Sequence, residues 1–361
     1  MSQPAHSTQA AEVAEPAQAD APVRFAPVPP IGAGGNLLAE IDAWLTSEAL
    51  RALVQAFGGD PDLPTADRTG RIAPPDRRDL LTRIDRLYAF TDRWDVRQGR
   101  ERNLVGDLEL TPSQRDLAKS AGEALGLRGP EILRFDHYDH VLMLGGLIRA
   151  CLARPATAAL LLRPGTVPGR TITAGTITAL GGHRPFAGDE FDQATREGLA
   201  DVTEEYQAQD AGTRRAFGLG EPSAVEHHDS DLPGGTWGIR TYQWQPPHGG
   251  PAVPVRVVAA PSSEPGLRRA NTPDSYAFFA ARIADLAPGA KLLLLSTAIH
   301  VLPQHLAALR MLGLPYRAQI DTVSARAGSV PGMPLANFTP TKYLLEIRST
   351  IRILQQLVTE L

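Results

Sequence analysis

The ten residues KLLLLSTAIH at positions 291–300 decide the fold class of this 361-residue chain. Four consecutive leucines, preceded by Pro288-Gly289 and followed by polar residues, are typical of a strand buried on both faces, as strands of parallel sheets are. Ligands of open α/β sheets bind at the carboxyl ends of the strands. We therefore predict that Thr297 and His300 face a ligand site.

The residues around this strand predict an α/β domain, because short β-rich runs alternate with helical ones from His140 onward. A helix is predicted between Asp189 and Tyr206, and the apolar spacing from Leu344 to Leu361 predicts a final helix packed on the fold. The predicted strands are residues 140–146, 158–162, 172–180, 292–295 and 319–323, with a hairpin made of 236–244 and 253–260.

The first 130 residues have a different pattern. Residues 1–35 are rich in Ala, Gln, Glu and Pro, which predicts a disordered tail. Helical spacing of apolar residues then predicts a helical subdomain over 36–130, with helices near 38–45, 50–57 and 80–88. Thr111-Pro112-Ser113-Gln114 predicts a capping box that opens a fourth helix, which Gly126 ends. Residues 131–361 form the predicted α/β domain.

The composition indicates a globular protein of the cytoplasm. The hydrophobic fraction is 43%, the charged fraction is 21%, and a formal charge of -4 gives no basic surface for nucleic acid. The single cysteine, Cys151, cannot form an internal disulfide, and no apolar run reaches the roughly 18 to 20 residues of a membrane span. We expect neither a nucleic-acid nor a membrane partner, and the sequence does not set the oligomeric state.

Two glycine turns follow predicted strands. Gly145-Gly146 precedes a helix that carries Arg149, so helix amides and a guanidinium could bind a phosphate or carboxylate there. Gly181-Gly182 is followed by His183 and Arg184. The alternative is that these glycines only permit tight turns and that the charged side chains are solvated. The dinucleotide pattern Gly-x-Gly-x-x-Gly and a Walker phosphate loop are both absent.

A third polar segment, residues 268–275, precedes a predicted helix. Thr272 is expected to cap this helix, with Pro273 at its first position. Asn271 and the paired arginines Arg268 and Arg269 are not explained by that cap, and we predict that Asn271, Thr272 and Ser275 contribute to the ligand site.

Two clusters make a metal-dependent hydrolase an alternative function. Residues 136–140 (DHYDH) and 226–229 (EHHD) each contain four side chains that suit zinc or another first-row ion. The second cluster is expected in a loop. Solvated or capping roles are the other interpretation of both clusters, and no residue is assigned as a metal ligand.

The order of these motifs resembles the YdcF/SanA-like family of α/β proteins. The resemblance covers about residues 139–323 and rests on DHVLMLGG at 139–146, the strand ending at Gly181-Gly182, the acidic helix start at Glu190, the Asn271-Thr272-x-x-Ser275 turn and LSTAIH at 295–300. It implies a Rossmann-like three-layer α/β/α fold with a mostly parallel sheet, here preceded by the helical subdomain and carrying the hairpin as an insertion. It also implies a bacterial protein.

The family resemblance implies one cleft and a ligand class. At least one member is associated with S-adenosylmethionine binding and others with bacterial envelope homeostasis, so S-adenosylmethionine is the cofactor that the resemblance suggests. The cleft would be lined by Gly145, Gly146, Gly181, Gly182, Glu190, Thr272 and His300. This chain departs from the family at Asp274-Ser275, where Glu-Asn is usual, and at Pro303-Gln304, where an arginine is usual.

Besides the metal-dependent hydrolase, two functions remain open. The first is an enzyme for a small anionic or nucleotide-like metabolite, with His300 as general acid or base and Glu190 as its carboxylate partner. The second is a sensor or accessory protein that binds S-adenosylmethionine or a nucleotide without turnover. The predicted ligand-binding residues are Gly145, Gly146, Arg149, Gly181, Gly182, His183, Arg184, Asn271, Thr272, Ser275, Thr297 and Gln304.

Overall fold

The computed structural model describes residues 24–64, 75–96, 106–128, 133–326, 328–333 and 337–361. The strands are β1 His137–Leu144, β2 Thr173–Gly181, β3 Ala224–His228, β4 Trp237–Trp244, β5 Val253–Ala259, β6 Lys291–Ser296 and β7 Gln319–Ser324. The helices are α1 Leu37–Leu45, α2 Glu48–Ala56, α3 Arg77–Phe90, α4 Pro112–Gly122, α5 Ile148–Leu161, α6 Glu190–Arg196, α7 Glu205–Phe217, α8 Thr272–Phe278, α9 Val301–Ala308, α10 Leu314–Tyr316 and α11 Pro340–Glu360.

The described strands form a single sheet in the order β3-β4-β5-β2-β1-β6-β7. The pairs from β5 to β7 are parallel, whereas β3 and β4 pair antiparallel at one edge. The predicted α/β class with a mostly parallel sheet is confirmed. Strand β6 is the predicted leucine strand, and it lies between β1 and β7, where both of its faces are covered.

Alternation along the strands divides the buried residues between the two faces of the sheet. Leu142 and Leu294 belong to one core together with helices α1 to α4, α9 and α11. Met143 and Leu295 belong to the core on the opposite face, which includes residues of α5 and α7. No helix of the described residues is both long and apolar enough to cross a membrane.

The predicted helices of the first 130 residues are confirmed as α1, α2, α3 and α4. Thr111 and Gln114 form the predicted capping box, and Gly126, with φ +94°, breaks the helical geometry after α4. The predicted tail overlaps described residues 24–35, and these pack on the fold, since Ile31 is 1% exposed. The rest of that tail, residues 1–23, lies outside the described residues.

One predicted strand is wrong and one predicted helix is divided. Residues 158–162 belong to the last turn of α5 and its C-cap, because an apolar run flanked by helix-forming alanines packs equally well in a helix buried on most sides. The single helix expected from Asp189 to Tyr206 is instead α6, followed by a turn with Gly198 at φ +73° and by the start of α7.

The predicted hairpin is present, with β4 and β5 antiparallel. Its second strand also pairs in parallel with β2, so the hairpin is continuous with the sheet. Residues 226–228, expected in a loop, belong to strand β3, which pairs with β4 at the edge. The loop expectation is wrong here because an edge strand tolerates charged residues on both of its faces.

Candidate functional site

The candidate site lies at the carboxyl ends of β1, β2 and β6. The chain leaves β1 toward β2 on one side and returns later to β6 on the other, so the strand order reverses between β1 and β6. Ligands of open α/β sheets bind at such a reversal. The predicted turns Gly145-Gly146, Gly181-Gly182 and Thr297 follow these three strands and lie at this edge.

A buried ion pair joins two of the predicted residues. Arg184 donates from Nη1 to Glu190 Oε2 at 2.7 Å and from Nη2 to Oε1 at 2.9 Å. The Glu190 carboxylate, which is 0% exposed, also accepts from the Ile148 N–H at 3.1 Å and from the Ala187 N–H at 3.0 Å. The start of α5, which favours an anion, is therefore occupied by a carboxylate of the chain itself.

Glu205, which the sequence did not single out, lies on the other side of Arg184. Its Oε2 accepts from Arg184 Nε at 2.9 Å. Burial raises the pKa of Glu205, although neighbouring arginines, Arg184 foremost, oppose the shift. A Cβ atom on Gly145 would lie 2.1 Å from Glu205 Oε1, and one on Gly181 would lie 2.7 Å from it. The two glycines thus make room for this carboxyl group.

A second buried arginine connects the ends of β1 and β6. Arg154 donates to the carbonyl oxygens of Leu144 and Gly145, both at 2.5 Å, and to Thr297 Oγ1 at 2.9 Å. Burial lowers the pKa of Arg154 to about 10. Its Nε is buried and has no hydrogen-bond partner among the described residues. Gly146 and Arg184 are joined too, since Arg184 Nη2 donates to the Gly146 carbonyl at 3.0 Å.

His183 forms a dyad with Glu204. Its Nδ1 lies 3.0 Å from Glu204 Oε2, and its ring packs edge-to-face on Tyr206 with centroids 5.3 Å apart. The second ring nitrogen, Nε2, is buried and makes no hydrogen bond within the described parts of the chain. If Nδ1 carries the proton donated to Glu204, Nε2 has a lone pair that can accept a proton.

Local structure explains Arg268, Asn271, Asp274 and Ser275 in the segment at residues 268–275. Asn271, rather than Thr272, is the N-cap of α8, and it forms a capping box with Asp274. Arg268 pairs with Asp274, and the Ser275 hydroxyl donates to the Asn271 carbonyl at 3.3 Å. Capping therefore accounts for Asn271, and the ion pair with Asp274 accounts for Arg268. The turn still adjoins the site, because a Cβ on Gly182 would lie 3.4 Å from the Ala270 Cβ.

Three further residues were predicted for the site, Gln304, Arg149 and His300. Gln304 Oε1 accepts a hydrogen bond from the Ser296 hydroxyl at the end of β6. Arg149 is exposed in the first turn of α5. His300 Nδ1 lies 3.1 Å from Glu346 Oε2 on α11. The carboxylate beside His300 is thus Glu346 and not the expected Glu190.

The two histidine clusters have other partners. His137 Nδ1 lies 2.9 Å from Thr173 Oγ1, and His140 Nδ1 lies 2.8 Å from Thr176 Oγ1. Glu226 pairs with Arg282 at 3.1 Å, and His228 stacks on Trp237. Within the described ranges no three His, Cys, Asp or Glu side chains are grouped so that they could hold a metal ion.

The sequence reasoning missed Arg154, Glu204, Glu205 and Gln209. Gln209 Nε2 donates to the Met143 carbonyl at 2.9 Å, while its Oε1 is buried without a partner in the described chain. A signal was present, because Glu205 and Gln209 are four residues apart and share one face of α7. Arg154, an arginine inside an apolar run, was a second signal.

Among known proteins, the chain is similar in sequence to proteins that are described as uncharacterized. Residues 30–126 match the family model described as the Rv3785 N-terminal domain. The chain is 28% identical over 346 residues to "Uncharacterized protein Rv3785" of Mycobacterium tuberculosis and to "Uncharacterized protein Mb3814" of Mycobacterium bovis, covering 86% of this chain and 87% of each relative. No solved structure matches the chain significantly.

Proposed function

We propose that this chain is an enzyme that moves a proton on a small metabolite, with His183 as the general base. The observation that carries the proposal is the His183 ring, held by Glu204 at 3.0 Å through Nδ1 and unpartnered among the described residues at the buried Nε2. A buried polar atom without a partner is costly, and a substrate group or a water can satisfy it. The ring belongs to the turn after β2, at the edge where α/β sheets bind ligands.

The neighbours of His183 suit this role. Glu204 fixes the tautomer of the ring and stabilises the imidazolium that forms when Nε2 takes a proton from the substrate. Arg184 anchors the adjacent backbone through its buried contacts with Glu190 and Glu205. A base held in this way loses little entropy when it meets the substrate, which is the condition for efficient proton transfer.

The strand order supports the finer fold interpretation. The parallel strands run β5-β2-β1-β6-β7, which in their own numbering is the order 3-2-1-4-5 of Rossmann sheets. We retain as proposals the Rossmann-like three-layer fold with an N-terminal helical subdomain, the YdcF/SanA-like relationship and a cytoplasmic location. A small-molecule ligand is proposed with them, and no nucleic-acid or membrane partner.

The residues present do not fit the adenosyl group of S-adenosylmethionine at the expected position. In dinucleotide-binding sheets an acidic side chain near the end of the second strand binds the ribose hydroxyls. Here that position carries Gly182, His183 and Arg184, and the nearby Glu204 carboxylate already pairs with His183. The proposed mechanism therefore does not use this cofactor. A sensor that binds an adenosyl compound without turnover is tested by the ligand screen described below.

A second catalytic pair is His300 with Glu346. His300 Nδ1 lies 3.1 Å from Glu346 Oε2, and the Glu346 side chain is 5% exposed. His300 can therefore still act as a general acid or base, with Glu346 as its carboxylate partner in place of Glu190. The pair also joins the turn after β6 to α11, so a purely structural role is the competing explanation, and mutation separates the two.

The experiment begins with a thermal-shift screen of the full chain against hydroxy and carbonyl metabolites, adenosyl compounds, nucleotides, phosphosugars and divalent metals, since a ligand of the native state raises Tm. Turnover of each hit is then measured for the wild type and for His183→Gln, Glu204→Gln and His300→Ala. The matched control is His248→Gln, an exposed histidine in the turn between β4 and β5.

We expect His183→Gln to lower kcat by about 10² to 10⁴, the range of general acid-base catalysis, with ligand binding retained. Glu204→Gln should lower kcat less and change its pH profile, while His248→Gln stays at the wild-type rate. Full turnover in His183→Gln would reject His183 as the base, and loss of turnover only in His300→Ala would transfer the role to His300. Binding without turnover of any hit would favour the sensor.

A further inference from the structure

The start of α5 has the geometry of an anion site, and a side chain of the protein fills it. Ile148 N–H donates to Glu190 Oε1 at 3.1 Å, in the first turn of a 14-residue helix. Arg184 adds two hydrogen bonds to the same carboxylate, at 2.7 and 2.9 Å. A helix N-terminus with a guanidinium beside it is the pair of groups that binds a phosphate in many α/β proteins.

The Glu190 carboxylate is enclosed on every side that the structure describes. The Glu190 side chain is 1% exposed, and the Arg184 side chain is 11% exposed. The Ala187 N–H gives a fourth donor to Oε2 at 3.0 Å. An external anion could enter only by displacing a carboxylate that four donors already satisfy, and it would leave Glu190 as a buried charge without compensation.

We propose that Glu190 is a built-in anion that takes the position of a ligand phosphate at the start of α5. This inference rests on the proposed function and narrows its substrate class. The substrate carries no phosphoryl group at this helix, and it meets His183 Nε2 through an O–H or C–H group. Nucleotides and phosphosugars are excluded from this position by the carboxylate of the chain.

The test uses small anions as probes of the position vacated by a mutation. Tm is measured for wild type, Glu190→Ala and Asp192→Ala in rising inorganic phosphate or formate, against potassium chloride at matched ionic strength. Asp192 is the matched control, because it is an exposed carboxylate in the first turn of the same helix, α6. These readouts need no substrate, so their result is independent of whether His183 is catalytic.

We expect Glu190→Ala to lower Tm by roughly 10 °C, because the buried Arg184 guanidinium loses one of its two carboxylate partners and the Ile148 amide loses its acceptor. Formate or phosphate should then restore more than half of that loss with saturation. The wild type and Asp192→Ala should respond to both anions only as they do to chloride. Saturable stabilisation of the wild type by phosphate would overturn the proposal, and so would a folded Glu190→Ala protein that responds to neither anion.

A second variant covers the case in which Glu190→Ala does not fold. Glu190→Gln keeps the shape of the side chain and one acceptor oxygen but removes the charge, so a lower Tm with no anion response is expected. A saturable response of Glu190→Gln to phosphate or formate would show that residue 190 does not fill the position, and would overturn the proposal. If neither variant folds, the phosphate titration of the wild type is the test. A response no larger than that to chloride supports the proposal, and saturable stabilisation by phosphate overturns it.

Discussion

The two ends of the sheet use the same kinds of side chain in different ways. At the amino end, Asp321 of β7 accepts from the Tyr138 hydroxyl at 2.6 Å, from the Arg134 backbone N–H at 2.7 Å and from Arg134 Nε at 2.5 Å. At the carboxyl end, Arg184 is held between two buried carboxylates. Both clusters contain an arginine and a buried acid, but among the described residues only the second is accompanied by buried polar atoms without a hydrogen-bond partner.

Buried polar atoms without partners in the described chain therefore distinguish the candidate site at the carboxyl end from the structural network at the amino end. Every oxygen of Asp321 has a partner, which is what a cluster that only stabilises the fold requires. Near the carboxyl end, His183 Nε2, Gln209 Oε1 and Arg154 Nε are buried without partners among the described residues. Atoms left in that state weaken the fold unless something else satisfies them, and a ligand at this edge would do so.

The largest expected effect tests the charged cluster at the carboxyl end. Arg184→Met removes the cation between Glu190 and Glu205, so we expect a loss of about 3 to 5 kcal/mol in the free energy of unfolding, because buried carboxylates are left unpaired. Urea denaturation measures it. Arg149→Met, on an exposed arginine of α5, is the control, with a change within about 0.5 kcal/mol. A loss for Arg184→Met as small as that of the control would contradict the buried pairing.

An intermediate effect tests the network at the amino end. Tyr138→Phe removes the hydroxyl that donates to Asp321 Oδ2, and we expect a loss of about 1.5 to 3 kcal/mol, the range of a hydrogen bond to a charged group. The loss is smaller than for Arg184→Met because Arg134 still pairs with Asp321. Tyr316→Phe, on a half-buried tyrosine, serves as the control in the same urea assay. Equal stabilities of the two variants would remove the distinction between the sheet ends.

The smallest expected effect is a change in the pH dependence of stability, and it tests His305, a histidine whose two ring nitrogens both have hydrogen-bond partners. His305 Nδ1 lies 2.9 Å from Thr322 Oγ1, Nε2 lies 3.0 Å from the Ile31 carbonyl, and burial lowers the pKa of His305 to about 4. Between pH 6.5 and about 4 the unfolded chain binds a proton that the native protein does not, so native stability falls as pH falls through this window.

The measurement compares urea unfolding at pH 7 and pH 5. The wild type should lose stability at pH 5, and His305→Gln should lose less between the two pH values because its side chain does not titrate. His248→Gln, with an exposed histidine, should keep the wild-type difference. An unchanged pH difference in His305→Gln would mean that its native pKa is not lowered.

Local patterns allowed the α/β class and most of the individual helices and strands to be predicted. The leucine run of β6 and the Thr111 capping box depend on residues close in sequence, and both formed as predicted. The strand predicted at residues 158–162 is wrong because it also relied on a local pattern. A short apolar run does not distinguish a buried strand from a buried helix. The cap of α8 was misplaced by one residue because Asn271 and Thr272 are both good caps, and the choice depended on Asp274.

For the candidate site, the sequence predicted which edge of the sheet its residues lie on but not which side chains pair with one another. Gly145, Gly181 and Thr297 could be found because each follows a predicted strand. That Gly145 and Gly181 make room for Glu205 depends on how α7 packs on β2, which no local pattern encodes. The same holds for His300, whose neighbour Glu346 lies on the last helix.

The last helix of the chain has a consequence for the order of synthesis. Helix α11 packs on α3 and α4, and Arg348 donates to the Tyr88 carbonyl across 260 residues of sequence. At about 5 to 20 residues per second, a ribosome needs roughly 10 to 50 s to cover that distance. During this time α3 and α4 have been synthesised but α11 has not. The apolar surface that α11 later covers is then exposed to chaperones and to other nascent chains.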